Sequence, residues 1–287
     1  MITCTRLMTA GVAACAVVSV ALVAAAAAPS APGASVVLTP HRAIYDLKLL
    51  RNRGKRELES VRGRILYDFS GSPCAGYALN FRQVSELDSG EGKTALSDLR
   101  ATTWEDGAAK RFRFSSENIL NDRAVDKVNG EAQRNSEHVA VKLDKPTDKS
   151  FDLEPGMVFP TEHMRRIIEA AREGKSILEL PVYDGSENGE KVYNTMTVIG
   201  REIGPGEKVP TDAAAGQAAL AGLKRWPVTV SYFDRNDTTR AEQTPVYALS
   251  FELYENGISR ALSLDYNDFV VAGEMTKLEI KDAPECK

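Results

Sequence analysis

Apolar and polar residues alternate along most of this chain, in short runs that turn-forming residues separate. Tyr45, Leu47 and Leu49 are apolar, whereas Asp46 and Lys48 between them are charged. A period of two is that of a β-strand with one face in a core and the other in water. The same pattern recurs at residues 65–69, 77–81, 112–114, 139–143, 228–232, 247–253 and 262–266. The sequence therefore predicts a mainly β protein.

Tight turns are predicted between several of these strands. Asparagine or aspartate followed by glycine accepts the positive φ angles that short hairpin turns require. Such dipeptides occur at Asp106-Gly107, Asn129-Gly130, Asn188-Gly189 and Asn256-Gly257. The predicted architecture is a meandering antiparallel sheet.

One segment has a helical period instead. Pro160 opens it and Gly174 closes it, as expected for the two ends of a helix. Its apolar stripe consists of Met164, Ile167, Ile168 and Ala171. Two interpretations are open: the helix covers the concave face or an open end of the sheet, or it is a gate over an apolar cavity.

The segment from about Thr211 to Leu223 is less clear, because it is rich in alanine but interrupted by glycine. It fits a second, weaker helix or a loop. The best candidate for a break in the chain is Gly204-Pro205-Gly206 with Pro210. No repeat or linker is evident, and residues 35–287 are predicted to form a single β-rich domain.

The N-terminal residues 1–34 have the order of a secretory signal peptide. Arg6 is the one charged residue before His41, and an apolar stretch from Leu7 to Ala28 follows it. Cleavage near residue 34 would release an exported protein. Two alternatives are an uncleaved membrane anchor and a lipoprotein acylated at Cys15, although the apolar run continues well beyond that cysteine.

Composition excludes some classes of function. The chain has 287 residues, of which 43% are hydrophobic, and a formal net charge of −4. Interspersed charges with a mildly acidic balance give no footprint for nucleic acid. No second apolar run is long enough to span a bilayer, so the cleaved protein is predicted not to cross the membrane.

Four cysteines are present, and two of them, Cys4 and Cys15, fall in the predicted signal peptide. Cys74 and Cys286 remain, and an even pair in an exported protein indicates a disulfide. The glycine-flanked Cys74 also resembles a nucleophile loop, which would need a base such as His41 or His138. A disulfide-bonded Cys74 has no such role.

No catalytic, cofactor or metal residues are predicted. His41, His138 and His163 are distant in sequence and lack metal-ligand spacing, and His163 is interpreted as a surface or capping residue. Aromatic residues are more suggestive, and they form either the sheet core or a groove for a lipid, a peptide or a partner strand. They are Trp104, Trp226, Tyr232, Phe233, Tyr247, Phe251, Tyr254 and Tyr266.

A set of motifs in a fixed order resembles the EipB-like family of periplasmic envelope-integrity proteins. They are HRAxY at 41–45, PGxxFPTEH at 155–163, WPVxVSYF at 226–233, YENGI at 254–258 and LDY at 264–266. Together with Cys74 and Cys286 they span the chain from about residue 36 onward. The resemblance implies a monomeric periplasmic protein with one large, strongly bent antiparallel sheet in the form of a β-spiral or an open barrel-like cup. It also implies a helix alongside the sheet, one disulfide and a structural similarity to carriers of lipoproteins.

The resemblance also implies a role in maintaining the cell envelope under stress, and it provides no catalytic residues to carry over to this chain. The leading hypothesis is a non-enzymatic factor that binds an apolar ligand, such as a lipid or lipoprotein, or an envelope protein. A second hypothesis is a purely protein-binding scaffold that uses sheet edges or the helix face. A third is an envelope hydrolase with a site assembled from scattered carboxylates or histidines.

Overall fold

The structure is a computed structural model, and it describes residues 35–53, 58–90, 92–236 and 244–286. The predicted signal peptide, its cleavage site and the alternative acylation at Cys15 lie outside the described residues.

The described residues form one sheet, in which every pair of neighbouring strands is antiparallel. From one edge to the other the order is β8-β7-β6-β5-β4-β3-β2-β1-β14-β13-β12-β11-β10-β9. The strands are β1 His41–Asn52, β2 Ser60–Ser72, β3 Gly76–Asp88, β4 Thr94–Glu105, β5 Arg111–Leu120, β6 Arg123–Arg134, β7 Val139–Lys145, β8 Lys149–Leu153, β9 Ile177–Val182, β10 Tyr193–Ile199, β11 Arg225–Asp234, β12 Tyr247–Tyr254, β13 Ser259–Asp265 and β14 Phe269–Ile280.

The first and last strands pair in the middle of this sheet, where His41 lies opposite Ile280. The two edge strands, β8 and β9, are joined by a segment that carries a helix. Val158 in this segment accepts a hydrogen bond of 3.0 Å from the N–H of Tyr183, and its own N–H donates to Pro181 at 2.9 Å. The segment that follows edge strand β8 therefore pairs beside the other edge strand, β9. This pairing brings the two edges of the curved but open sheet closer together.

The period-two pattern has the expected consequence for burial. Tyr45 lies opposite Ile65 in the β1–β2 ladder, and both side chains are buried. We call the face that carries them the inner face. Tyr77, Phe112 and Val228 are also buried. The predicted mainly β fold with a single antiparallel sheet, one well-defined helix and one disulfide is confirmed.

Helix α1 spans Pro160–Arg172 and lies against the inner face. Its buried residues include Ile167 and Ile168, which belong to one core cluster with Phe69 and Val228. The ambiguous segment contains only a 3-10 turn, Ala213–Gly216, and a single helical turn α2, Ala218–Ala221. Ala214 and Leu220 of this segment are buried in a second core cluster with Tyr254 and Val271.

Three of the predicted glycine dipeptides lie in connections between strands, and the fourth does not. Asn129 and Gly130 lie inside β6. Gly130 is needed there because a Cβ would approach the Lys142 carbonyl oxygen at 2.7 Å and the Phe114 ring at 2.8 Å. The turn between β5 and β6 is instead at Asn121 and Asp122, both with positive φ.

Cys74 and Cys286 form a disulfide, with their Cα atoms 5.7 Å apart. Cys74 lies in the turn between β2 and β3, and Cys286 lies beyond the end of β14. The N–H of Lys281 donates to the Pro40 carbonyl at 2.9 Å, so this terminal segment also contacts the start of β1. Within the described residues, no helix has the length and apolar character needed to cross a membrane.

Candidate functional site

A cavity of about 490 Å³ lies against the inner face of β3, β4 and β5. Pro160, the first residue of α1, also lines it, so the helix begins at the cavity wall. The segment 184–187 and two tyrosines, Tyr193 and Tyr247, form the opposite wall. We call this space the inner cavity.

The sheet wall of the inner cavity is largely apolar. In the β3–β4 ladder Phe81 lies opposite Ala101 and Leu79 opposite Thr103, so these side chains share one face. Leu99 lies on the same face two residues before Ala101. The apolar residues here are only half-buried, although they point to the interior of the fold. The exposed part of their surface borders the cavity.

The polarity changes at one end of this wall. Asn118 of β5 lies beside Leu99 and directly opposite Asp126 of β6. The Oδ1 atom of Asn118 is buried, and none of the described residues donates a hydrogen bond to it. An unpaired buried acceptor is unfavourable. The end of the cavity at Asn118 and Asp126 therefore offers hydrogen-bond acceptors next to the apolar surface.

Asp184 contributes a further acceptor from the opposite wall. Its Oδ1 accepts a hydrogen bond of 2.9 Å from the N–H of Ser186. Burial raises the pKa of the Asp184 carboxyl, despite the opposing hydrogen bonds from Ser186. No described lysine, arginine or histidine forms an ion pair with this carboxyl.

Three tyrosine rings pack together next to Asp184. Tyr232 and Tyr247 are stacked with ring centroids 4.3 Å apart, and Tyr193 meets both of them edge-on. The hydroxyl of Tyr193 donates to Glu187 at 2.9 Å. Burial, and after it the charge of Asp184, raises the pKa of Tyr232. The Asp184 carboxyl therefore lies close enough to the three tyrosines for its charge to act on them.

The gap between the two walls is bridged by a contact that only glycine permits. Gly185 has φ +68°, and a Cβ added there would lie 2.3 Å from the Phe114 ring. The segment 184–187 therefore approaches β5 as closely as backbone and aromatic ring allow. This contact fixes Asp184 at the cavity wall.

His163 is buried, and the interpretation of it as a surface or capping residue is wrong. Its Nε2 lies 3.4 Å from the Thr195 hydroxyl, and burial lowers its pKa to about 4. The helix start is bound by another residue: Glu105 of β4 accepts hydrogen bonds from the N–H groups of Thr161 and Glu162. Sequence spacing gives no sign of this partner, because it lies more than fifty residues away.

Cys74 and His41, which the sequence offered as a nucleophile and its base, have structural roles. Cys74 is disulfide-bonded and has no free thiol. His41 stacks on Tyr67, with ring centroids 5.4 Å apart. Among the described residues, no group of three or more histidine, cysteine, aspartate and glutamate side chains is placed to hold a metal ion.

The aromatic residues singled out in the sequence fall into two groups. Trp226, Phe251 and Tyr254 are buried in the core. Tyr247 instead lines the inner cavity. Tyr193 and Asp184, which also line it, carry no sequence pattern that would have indicated a site.

The fold and the inner cavity define an open, barrel-like β protein with an internal apolar pocket. The chain belongs to the EipB-like family, whose sequence model matches residues 32–282, as the motifs indicated. Cell envelope integrity protein EipB of Brucella abortus (strain 2308) is 37% identical over 254 residues, which are 88% of this chain and 88% of that protein. A crystal structure described as a beta-barrel-like protein of a domain of unknown function, also from Brucella abortus, is 37% identical. It has a TM-score of 0.78 and covers 85% of this chain and 99% of its own.

Proposed function

We propose that this chain is a non-enzymatic periplasmic factor that maintains the cell envelope by binding a lipid or the acyl chain of a lipoprotein in the inner cavity. The name of the 37% identical relative supports the envelope role. The observation that supports an apolar ligand is a cavity of about 490 Å³ with a half-buried apolar wall. This wall consists of Leu79, Phe81, Leu99 and Ala101.

Physical considerations favour an apolar ligand over water in this cavity. Covering apolar surface contributes about 25 cal/mol per Å² removed from water. Ligand pockets range from about 300 to 1,000 Å³ and are lined mainly by apolar side chains with a few polar groups. The inner cavity has this size and this composition.

The structural roles of two reactive groups support a non-enzymatic function. Cys74 is bound to Cys286, so its sulfur is not a nucleophile. Burial raises the pKa of Glu105 to about 7, a value typical of a general acid or base, but its oxygens accept the helix amides of Thr161 and Glu162. Glu105 therefore serves the fold.

We also propose that residues 1–34 are removed on export and that residues 35–287 act as a monomer in the periplasm. The disulfide supports this location because such bonds persist in oxidising compartments. Intact mass of the exported protein tests the cleavage, and light scattering tests the monomer. A diacylated N-terminus at Cys15 would contradict cleavage near residue 34.

Native mass spectrometry of the protein, released gently from envelopes, tests the ligand. We expect a co-purifying lipid or acyl species. Ala101→Trp should abolish it, because the indole would occupy the cavity between Leu99 and Thr103. Ala140→Trp is the matched control, since Ala140 is exposed on β7. A wild-type protein that is always empty, or that retains only a protein partner, would favour the scaffold function instead.

A further inference from the structure

The polar end of the inner cavity contains acceptors and no basic partner for them. Asn118 Oδ1 is buried and unpaired among the described residues. Asp126 lies opposite it, and Asp184 faces the same cavity. Neither aspartate forms an ion pair with any described residue. Asp184 already accepts a hydrogen bond from Ser186, and Asp126 is exposed, so the unsatisfied acceptor is Asn118 Oδ1. A molecule that covers this end must supply a hydrogen-bond donor if that oxygen is to be satisfied.

The charged residues that line the inner cavity are all acidic. Three acidic residues line it, namely Asp126, Asp184 and Glu187. None of the described lining residues is a lysine, an arginine or a histidine. Glu187 is neutralised by Lys191, whose Nζ lies 2.7 Å from Glu187 and 3.3 Å from Asp234. The negative charge that remains belongs to Asp126 and Asp184.

Aromatic faces complete the wall. Tyr193 and Tyr247 line the cavity, and their ring contacts with each other and with Tyr232 hold them in place. Cations are attracted to the faces of aromatic rings, and sites for ammonium groups combine such rings with carboxylates. Lys191 lies 5.8 Å from the centre of the Tyr193 ring, but Glu187 and Asp234 already pair with it. An anionic group would therefore meet Asp126 and Asp184, which have no ion-pair partner among the described residues, and no basic residue in the described lining of the cavity.

On the basis of the proposed function, we propose that the ligand of the inner cavity is an amphiphile with a cationic ammonium head. Its apolar chain lies on Leu79, Phe81 and Leu99, and its head donates to Asn118 and Asp184 beside the tyrosine rings. The site accordingly discriminates against amphiphiles whose head is a phosphate or a carboxylate. A cation at this place would also reverse the rise that burial produces in the pKa of Asp184.

Isothermal titration calorimetry with matched ten-carbon amphiphiles tests this assignment. Decylammonium, decanoate and decyl phosphate differ mainly in head group and are compared below their micelle concentrations at physiological ionic strength. We expect decylammonium to bind at least about tenfold more tightly than either anion, because its head forms charge-assisted hydrogen bonds. Binding of none of the three contradicts the proposed function. Equal or tighter binding of an anion contradicts the cationic head alone.

Two variants and a control locate the preference. Asp184→Asn keeps the shape of the side chain and should remove most of the preference for decylammonium, and Asn118→Leu should weaken decylammonium binding without any change of charge. Asp46→Asn removes the same charge from β1, where the side chain is 46% exposed and paired with Arg64, and should leave the preference unchanged. A preference that survives in both Asp184→Asn and Asn118→Leu would arise from net charge and would overturn the assignment.

Discussion

Glu105, the last residue of β4, accepts a hydrogen bond of 2.7 Å from the backbone N–H of Thr161 in the first turn of α1. The same carboxyl accepts from Glu162 at 2.8 Å. The first N–H groups of a helix have no partner within the helix, and an acceptor there stabilises it. A strand residue thus caps the helix whose first residue, Pro160, borders the inner cavity.

This contact predicts a pH dependence of stability. Burial raises the pKa of Glu105 from its ordinary value of 4.5 to about 7. Between these values the folded protein holds a proton that the unfolded chain has released, so stability falls as the pH rises from about 4.5 to about 7. The loss from this group is up to about 3 kcal/mol. Glu105→Gln does not titrate and should show a smaller difference in unfolding free energy between pH 5 and pH 7.5.

Urea denaturation at the two pH values measures this difference. Glu137→Gln is the control, because Glu137 is exposed in the turn between β6 and β7 and should keep the wild-type difference. If Glu105→Gln retains the whole wild-type difference, the carboxyl does not titrate in this range in the folded protein.

Gly185→Ala is expected to destabilise the protein more than Gly206→Ala. Both glycines have positive φ, +68° and +75°, so alanine costs about 1–2 kcal/mol at either position. Only at Gly185 would the new Cβ also collide with Phe114, which adds about 1–3 kcal/mol, whereas nothing lies within 4 Å at Gly206. Urea denaturation of the two variants measures the gap. Equal losses would show that segment 184–187 moves away from β5 at little cost.

A buried ion pair links strand β13 to the segment that contains the 3-10 turn. Arg260 of β13 donates to Asp212 at 2.7 Å, with side chains only 12% and 6% exposed. Arg260→Leu leaves a buried carboxylate without this cation and should cost about 3–5 kcal/mol. Arg201→Leu breaks the exposed pair with Glu207 and should cost far less, because water screens an exposed pair. Thermal and urea unfolding compare the two, and similar costs would contradict a stabilising role for burial.

Reduction of the Cys74–Cys286 disulfide is expected to lower the melting temperature. The bond joins residues 212 positions apart, and the chain-entropy model gives about 5 kcal/mol for such a loop. This corresponds to about 10–20 °C for a protein of this size. Calorimetry with and without reductant measures the shift, and the double variant Cys74→Ser/Cys286→Ser should melt at the reduced temperature in both conditions. An unchanged melting curve, with reduction verified by thiol titration, would refute this stabilisation.

Predictions from local sequence patterns were correct where interactions between residues close in sequence determine the structure. The alternation at Tyr45, Leu47 and Leu49 predicted a strand because its period matches the pleat. The prediction of a turn at Asn129-Gly130 was wrong, because the glycine there allows close packing against Phe114 inside a strand. His163 was misassigned for a related reason: Thr195, the residue beside it, comes from a distant strand.

The sequence by itself determined the strand-rich fold, helix α1, the cysteine pair and the family. These follow from periodicity, turn chemistry and motif order, all of which are local or additive along the chain. Only the tertiary structure decided that an inner cavity exists and which groups line it. Leu99, Asn118 and Asp184 line one cavity because of the strand register and the curvature of the sheet. Both are set by packing between residues far apart in the chain.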